Sequence, residues 1–279
     1  MPTLYSLDSP GIKYHHSRDR SPDPARFLMH AHDGYELYFF VSGQVVYRVE
    51  STAYRLQPGN ILLMRPGEVH TPEFHSESPY ERIVIQFREQ ELPTELPFGQ
   101  QLLTAFADYP LGTGNEYPAD TLDGQYLHAI FAHIERTPDK AAGLAALRAA
   151  MPAILSELYG SFCRRADSRE EAGEPSRIRD ILRYVNTHLY EELSLDDLCR
   201  RFFISKTQLG RLFRAATGST VWDYILVKRL IEARRRLLAG TPITKAAADC
   251  GFRDYSAFFR AYCKRYGVSP AADRDTYCN

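Results

Sequence analysis

The strongest constraint on the fold is an internal repeat in the C-terminal third of the chain. Its first copy has a short apolar helix pattern from Leu195, a capping residue at Ser205 and a longer helix pattern that ends at Gly218. A short helix, a tight turn and a longer helix are the plan of a helix-turn-helix unit. We therefore predict two such units, at about residues 194–218 and 242–267. The corresponding residues of the second copy are Ile243, Asp254 and Gly267, at offsets of 48 or 49 residues.

A helix pattern at about residues 220–239 connects the two units. A helix of about 18 residues is about 27 Å long, and successive major-groove faces on one side of B-DNA lie ~34 Å apart. We therefore expect this helix to hold the two units in position to enter neighbouring segments of the major groove. The arginines available for its other sides are Arg229, Arg234, Arg235 and Arg236.

The two halves of the chain carry opposite charge, although the formal net charge of the whole is only −1. Residues 1–174 contain 15 Lys and Arg against 24 Asp and Glu, whereas residues 175–279 contain 19 against 11. A basic helical half is suited to a polyanion such as DNA. Residues 164–177 are polar and poor in large apolar side chains, which predicts a linker between domains at 1–163 and 178–279.

Specific motifs in the basic half indicate its relatives. They are Ser205-x-x-x-Leu209-x-Arg211-x-Phe213, Gly251-Phe252-x-Asp254-x-Ser256-x-Phe258-x-Arg260 and Gly267-Val268-Ser269-Pro270. With these motifs, residues 178–270 resemble the DNA-binding domain of the AraC/XylS family of bacterial transcription regulators. The resemblance implies an all-α double helix-turn-helix domain that binds double-stranded DNA in two adjacent major-groove segments. It also implies an activator, with RNA polymerase as a partner.

The family's base-reading positions, carried over residue by residue, fall on the two longer helices. Arg can pair with guanine O6 and N7 and Gln with adenine N6 and N7, whereas Phe offers only apolar contact, for example to a thymine methyl. The implied base-reading residues are Lys206, Thr207, Gln208, Arg211, Tyr255, Ser256, Phe259 and Arg260. The expected phosphate contacts, which position without specifying, are Arg200, Arg201, Arg214, Lys264 and Arg265. The departures from the family pattern are Gly210, Ala246 and Asp273, the last standing where the family usually has Tyr.

The acidic half has the pattern of a small all-β barrel followed by helices. Short β-branched and aromatic runs alternate with glycine turns between residues 27 and 88, which favours an antiparallel sandwich or barrel. Residues 1–26, rich in Pro and charge, are expected to form an N-terminal arm. A later helix stripe packs either on the barrel or against a second copy in a homodimer. Its residues are Leu144, Leu147, Met151, Ile154 and Leu158.

A motif of histidines and one glutamate lies in the predicted barrel. His30-x-His32-x-x-x-Glu36 and the later Pro66-Gly67-x-x-His70 resemble the two motifs of the cupin superfamily. In metal-bearing cupins, three histidines and a glutamate bind Fe, Mn, Ni or Zn, and this donor set is chemically adequate. In AraC-type sensor domains such residues commonly bind a small molecule or brace the barrel. The candidate ligand-binding residues are His30, His32, Tyr35, Glu36, Tyr38, Arg65 and His70.

Two functions follow as alternatives. The preferred one is a ligand-responsive transcription regulator whose barrel binds a sugar or sugar derivative without a cofactor, and whose ligand changes how the barrel or its arm contacts the DNA-binding domain. The other is a metal-dependent cupin enzyme, a sugar isomerase or dioxygenase, with His30, His32, Glu36 and His70 as metal ligands. The remaining histidines, His16 among them, are expected to be surface or core residues.

The cysteines and the N-terminal sequence indicate the compartment. The five cysteines include no Cys-x-x-Cys pair, which suits a reducing cytoplasm rather than a disulfide framework or a zinc finger. The N-terminal residues lack the basic and apolar regions of a secretory signal, and no uninterrupted apolar run has the length of a membrane span. We therefore expect a cytoplasmic protein without a membrane partner.

Overall fold

The computed structural model describes residues 3–24, 27, 29–74, 76–92, 102–103, 109, 111–166 and 177–278. Its contacts divide the chain into a β-rich unit, Met1–Leu28 with Gly34–Ala172, and a helical unit, Met29–Asp33 with Gly173–Asn279. The predicted fold class, β-rich and then helical, is confirmed. Most of the predicted linker, residues 167–176, lies outside the described residues.

The described part of the β-rich unit contains nine strands in two antiparallel sheets. The strands are β1 (Thr3–Ser9), β2 (Ile12–Asp19), β3 (Tyr35–Ser42), β4 (Val45–Val49), β5 (Thr52–Arg55), β6 (Ile61–Met64), β7 (His70–Phe74), β8 (Tyr80–Phe87) and β9 (Glu116–Tyr117). The larger sheet has the order β1-β2-β8-β3-β6-β9 and the smaller one β5-β4-β7. Short 3-10 helices lie at Glu89–Glu91 and Ala119–Thr121.

The alternation of side chains along β3 gives this unit two hydrophobic cores. Leu37 and Phe39 pack in one core with residues of helices α1 (Gly124–Glu135) and α2 (Lys140–Ala166). Tyr38 and Phe40, which point to the opposite face of the sheet, pack in a second core with residues of the smaller sheet. The central strand is therefore buried on both faces, which explains its nearly continuous apolar sequence.

The predicted stripe of α2 belongs to the first of these cores. Leu147, Met151, Ile154 and Leu158 are each fully buried there, so the stripe packs within its own unit, the first of the two alternatives. By length and composition alone, Lys140–Arg164 could also cross a membrane. The burial of the stripe against the sheet is the arrangement of a core helix.

Within the predicted arm, the described residues 3–19 form two strands of the larger sheet instead. β1 pairs with β2, and β2 pairs along its whole length with β8, from Ile12 opposite Phe87 to Asp19 opposite Tyr80. The sequence does not indicate β2 because only Ile12 and Tyr14 are apolar there, whereas the buried Ser17 and Asp19 are polar. For these residues the expectation of an arm was wrong.

The helical unit contains seven helices in the described residues. They are α3 (Arg177–Thr187), α4 (Leu195–Phe202), α5 (Lys206–Thr217), α6 (Val221–Leu238), α7 (Ile243–Asp249), α8 (Tyr255–Tyr266) and α9 (Pro270–Cys278). The paired helices α4 with α5 and α7 with α8 are the two predicted helix-turn-helix units, and α6 connects them. The longer helices of both units end at glycines with left-handed backbones, Gly218 (φ 73°) and Gly267 (φ 72°).

Candidate nucleic-acid interface and ligand site

Helix α5 presents a polar face from the first helix-turn-helix unit. The hydroxyl of Ser205 accepts a hydrogen bond from the amide of Gln208 (3.2 Å) and so caps the start of the helix. Leu209 and Phe213 are buried beneath it. The opposite face contains the predicted base-reading residues Lys206, Thr207 and Arg211, which are exposed, and Gln208, which is half-buried.

Helix α8 presents a more aromatic face from the second unit. The carboxylate of Asp254 accepts hydrogen bonds from the amides of Ser256 (2.9 Å) and Ala257 (3.1 Å) at its start. Phe258 and Tyr262 are buried on the inner side. The predicted residues Tyr255, Ser256, Phe259 and Arg260 are all exposed. The rings of Tyr255 and Phe259 lie 6.3 Å apart and form an aromatic pair one helical turn long.

The predicted cationic contacts differ in how they are held. Lys206 forms an ion pair with Asp196 of α4 (2.8 Å), and this hydrogen bond raises the pKa of Lys206. Arg200 pairs with Asp197 of the same helix. The guanidinium of Arg201 lies 4.2 Å from the ring centre of Tyr184. Of the remaining predicted phosphate contacts, Arg214 and Lys264 are exposed, whereas Arg265 is half-buried and donates a hydrogen bond to the backbone oxygen of Ala31 (3.0 Å).

Arg229 of α6 joins the connecting helix to the segment between α3 and α4 and to the turn of the second unit. Its guanidinium donates to three backbone oxygens, those of Leu189 (2.7 Å), Glu191 (2.8 Å) and Gly251 (2.8 Å). The first two lie between α3 and α4, and the third lies in the turn of the second unit. Partial burial lowers the pKa of Arg229. The sequence placed this arginine on an outer side of α6, but its position is internal.

The remaining arginines of α6 also have partners within the helical unit. Arg234 forms two hydrogen bonds with the carboxylate of Asp273 (2.7 and 3.0 Å), to which Tyr262 also donates (2.5 Å). This network explains the departure at Asp273, because a tyrosine there could not accept both guanidinium hydrogen bonds. Arg235 and Arg236 both pair with Glu232 at 2.7 Å. The net positive charge therefore overstates the number of unpaired cations on this helix.

The space between the two sheets of the β-rich unit is filled with aromatic side chains. Tyr38 and Tyr80 are each 1% exposed, and their hydroxyl oxygens lie 2.5 Å apart. Burial raises the pKa of both phenols far out of the neutral range, so both are protonated. Arg82 lies over the ring of Tyr80 (4.5 Å) and pairs with Asp19 (2.7 Å). Tyr38 is thus a component of the second core.

Tyr35 does not share this space with Tyr38, although both are predicted ligand-binding residues. An odd number of positions separates them on β3, so their side chains point to opposite faces of the sheet. Tyr35 packs on the helix side, where its ring stacks on Phe87 at a centroid distance of 5.4 Å. The expectation that both tyrosines contact one ligand was wrong, because residues three positions apart on a strand lie on opposite faces of the sheet.

Arg65, another predicted ligand-binding residue, braces a loop. It pairs with Glu68, which is fully buried, and it donates to the backbone oxygens of Tyr109 and Thr113. Glu68 in turn accepts a hydrogen bond from the side-chain amide of Asn115 (2.7 Å). A cavity of about 10 Å³ beside Arg65 has the volume of one water molecule rather than that of a sugar.

The four predicted metal ligands fall into two pairs, one in each unit. The predicted set of three imidazoles and one carboxylate has donor types that suit a first-row divalent metal. Within the β-rich unit, Glu36 and His70 are 2% and 1% exposed, with Oε1 of Glu36 3.5 Å from Nε2 of His70. His30 and His32 lie in the segment Met29–Asp33, with their rings 5.0 Å apart.

The orientation of His70 is fixed from its other nitrogen. Its Nδ1 lies 2.8 Å from the backbone oxygen of Glu68, so Nδ1 carries the proton and Nε2 faces Glu36. A backbone acceptor behind a histidine is the usual support of a metal ligand, and it equally fixes a histidine that binds a polar molecule. Burial lowers the pKa of His70, but the charge of Glu36 and its hydrogen bond outweigh burial, so the net shift is upward.

His16 occupies a network that the sequence analysis missed. Its Nδ1 lies 2.8 Å from Glu135 and its Nε2 2.9 Å from Glu81, so it joins β2 both to β8 and to the end of α1. The hydrogen bond to Glu135 is the largest contribution to a raised pKa of His16. Burial alone would raise the pKa of Glu135, but its hydrogen bonds to His16 and Tyr14 lower it overall. The sequence indicates this network only when Ile12–Asp19 is predicted as a strand, because that strand places His16 beside β8.

Two family models match this chain. The one described as an AraC-like ligand binding domain matches residues 16–157, and the one described as a helix-turn-helix domain matches residues 198–276. The first match begins within β2 and extends through β3–β9 and α1 into α2, without β1. The second begins within α4 and covers the rest of the first helix-turn-helix unit, α6 and the second unit.

Characterised relatives agree with these matches. The transcriptional activator RhaS of Yersinia pseudotuberculosis is 25% identical over 259 residues, which are 90% of each chain. The right origin-binding protein of Escherichia coli is 35% identical over 98 residues, which are 35% of this chain and 34% of that protein. The probable transcriptional regulator LumQ of Photobacterium leiognathi is 34% identical over 89 residues, 31% of this chain and 36% of that protein. The chain thus spans about a third of the latter two proteins.

Proposed function

Because the chain belongs to the AraC/XylS family of transcription regulators, we propose that it is a ligand-responsive regulator that binds double-stranded DNA sequence-specifically. The observation that carries this proposal is the pair of capped helices α5 and α8. Each buries one side in the helical unit and presents on the other a row of residues that can contact base edges. The similarity to RhaS, a transcriptional activator, favours regulation over catalysis.

On DNA, the two helices supply different contacts. Arg211 and Arg260 can each form two parallel hydrogen bonds with a guanine, and Gln208 can do so with an adenine. Tyr255 and Phe259 can pack on thymine methyl groups. Exposed cations such as Arg214 and Lys264 supply phosphate contacts, which add affinity and salt dependence without selecting a sequence.

We also propose that the β-rich unit is the sensor, and that its ligand is a sugar or sugar derivative. Glu36 and His70 are polar groups held inside a largely apolar sandwich, which is the usual composition of a small-molecule site. Regulation then requires only that the ligand bind one of two states more tightly than the other. The proposal includes a cytoplasmic homodimer that activates transcription with RNA polymerase and needs no cofactor.

Selection of binding duplexes from a random pool tests the DNA-binding proposal. The unchanged protein should enrich two sequence elements one helical turn of DNA apart. Arg211→Ala and Arg260→Ala should each relax the preference at one base pair, by about 1–3 kcal/mol. Removal of a phosphate-binding cation should reduce the slope of log K on log salt by about 0.9.

Arg235→Ala is the matched control, because Arg235 is an exposed arginine of the same unit that pairs with Glu232 on α6. It should leave sequence preference intact. A protein that enriches no sequence would contradict the proposal. Unchanged preference in both Arg211→Ala and Arg260→Ala would contradict the assignment of the reading faces.

The donor types of the predicted ligands His30, His32, Glu36 and His70 support a second candidate, a metal-dependent sugar isomerase or dioxygenase. A bound divalent metal would supply Lewis-acid or redox chemistry, and Glu36 and His70 are the predicted ligands that the β-rich unit would contribute. Metal analysis of the purified protein separates the two candidates, with His30→Ala and His70→Ala as variants. A stoichiometric metal that both variants lose, in a protein that selects no DNA sequence, favours the enzyme.

A further inference from the structure

Phe203 combines two unfavourable features in the turn between α4 and α5. Its backbone is left-handed, with φ 52° and ψ 49°, a region that disfavours residues with a Cβ. Its side chain is also 91% exposed, the highest value among the large apolar residues of the described chain. Glu50, which has the same φ of 52°, is 3% exposed and its carboxylate accepts a hydrogen bond from the amide of Val69 (3.0 Å). The side chain of Glu50 therefore stabilises the fold, whereas the exposed ring of Phe203 contributes little to it.

The turn of the second unit repeats this geometry with glycine. In the first turn, the amide of Phe203 donates to Arg200 (3.4 Å) and that of Ile204 to Cys199 (3.1 Å). The second turn has the same two bonds, from Gly251 to Ala248 (3.0 Å) and from Phe252 to Ala247 (3.1 Å). This is the Schellman arrangement, in which the left-handed residue is usually glycine, and Gly251 has φ 80°. Phe203 thus occupies a glycine position.

Glycine at 203 would preserve the turn and remove both unfavourable features. It would adopt the left-handed backbone without steric cost, and an exposed apolar ring would be eliminated. Since the ring is almost wholly outside the packed interior, the fold gains little from it. Because the unfavourable backbone conformation is kept at a residue whose ring does not stabilise the fold, it points to a role in binding.

The surroundings of Phe203 favour a nucleic acid as the binding partner. Arg200 and Arg201 precede it at the end of α4, and Lys206 begins the reading helix α5 three residues later; all three are exposed. The centres of protein–protein interfaces are depleted in lysine and carry few charges. An aromatic ring among cations is instead a common composition of nucleic-acid contacts, where cations meet phosphates and the ring meets sugars or bases.

We propose that Phe203 is a direct DNA contact, whose ring packs on a deoxyribose or a thymine methyl at the edge of the groove that α5 enters. The inference rests on the proposed DNA-binding function and adds to it a specific apolar contact outside the reading helix. Because the contact is apolar, it supplies affinity without releasing counterions from the DNA.

The test compares Phe203→Gly with the unchanged protein on a duplex that the latter has selected from a random pool. The dissociation constant should rise about 5- to 50-fold, the range for removal of one favourable DNA-binding side chain. The slope of log K on log salt should stay the same, and the melting temperature should not fall. A merely structural role would instead lower the melting temperature. Leu4→Ala, at an exposed apolar residue of β1 (54% exposed), is the control for removal of apolar surface.

The possible failures are distinguishable. If the unchanged protein selects no sequence, the proposed function fails and the role of Phe203 fails with it. If it selects a sequence that Arg211→Ala binds weakly but Phe203→Gly binds as tightly as the parent, only the role of Phe203 is overturned. Parental DNA affinity with reduced transcription in the Phe203→Gly variant would assign the ring to a partner protein and would also overturn the proposal.

Discussion

The two helix-turn-helix units share a backbone plan but present different chemistry. The position of Lys206 on α5 is occupied by Tyr255 on α8, and Asp196, which pairs with Lys206, corresponds to Thr244. The first unit therefore presents charged and hydrogen-bonding groups, and the second presents an aromatic pair. Similar folding constraints on the buried sides leave the exposed sides free to diverge. Under the proposed function, the two units should therefore prefer different DNA sequences, and the binding site of one chain should not be a repeated or palindromic element.

The largest expected effect concerns the two turns. A Cβ at Gly251 would lie 2.8 Å from the backbone oxygen of Tyr190 and 2.9 Å from the Arg229 guanidinium, and φ there is 80°. We expect Gly251→Ala to lower the free energy of unfolding by about 2–4 kcal/mol through strain and displacement of Arg229. Urea denaturation followed by circular dichroism measures this. Phe203→Gly, the reciprocal change, should cause no such loss; equal destabilisation by both would refute the contrast between the turns.

The next effect tests hydrogen-bonding recognition by the first unit. Arg211→Ala should weaken binding to a selected duplex by about 1–3 kcal/mol, because alanine cannot form the two hydrogen bonds with guanine. Replacing that guanine by 7-deazaguanine, which lacks N7, should weaken binding by the unchanged protein but not by the variant. Fluorescence anisotropy of labelled duplexes measures both. Additive effects of the two changes would show that Arg211 contacts another base.

A smaller effect tests apolar recognition by the second unit. Replacing thymine by uracil removes only the methyl group, so binding by the unchanged protein should weaken by about 1 kcal/mol or less at thymines that Tyr255 or Phe259 contacts. Phe259→Ala should be insensitive to that replacement. Ser256→Ala is the neighbouring control on the same helix face and should retain the sensitivity. If uracil has its effect only at bases next to α5, the assigned chemistry of the two units is reversed.

The smallest effect concerns the acid on α4. Asp196→Ala should release Lys206 and remove a negative charge beside the DNA, so the dissociation constant should fall about two- to fivefold at low salt. Thr244→Ala changes the corresponding residue of the second unit and should have no effect. A rise in the dissociation constant for Asp196→Ala would mean that the ion pair orients Lys206 for binding.

The sequence predicted the helical unit well because its determinants are local. Ser205 and Asp254 are strong capping residues, the buried leucines and phenylalanines recur at helical intervals, and Gly218 and Gly267 end the helices. The motifs of the family then predicted which residues read bases, and those residues lie on α5 and α8. What the pattern could not reveal was the partner of Arg234, because Asp273 is distant in sequence and buried.

The β-rich unit was predicted less completely because its determinants are non-local. Strand β2 is stabilised by pairing with β8, more than sixty residues away, and β1 pairs in turn with β2. The composition of both strands is polar. Histidine and glutamate spacing identified a polar group but not which face of β3 each residue occupies. Tyr35 and Tyr38 therefore appeared equivalent in the motif and lie on opposite faces, while His16 gained its role only from residues of β8 and α1.

The three carbonyls bound by Arg229 have a consequence for how regulatory sites of such a protein could evolve. This side chain joins α6 to the α3–α4 segment and to the turn of the second unit, so under the proposed function the spacing between the two DNA elements should be fixed. Nucleotides within either recognised element can be exchanged gradually, each at a modest loss. Inserting or deleting one nucleotide between the two DNA elements would rotate one element about the DNA axis relative to the other. The two units could then no longer bind both elements at once, so a single insertion or deletion would abolish the site.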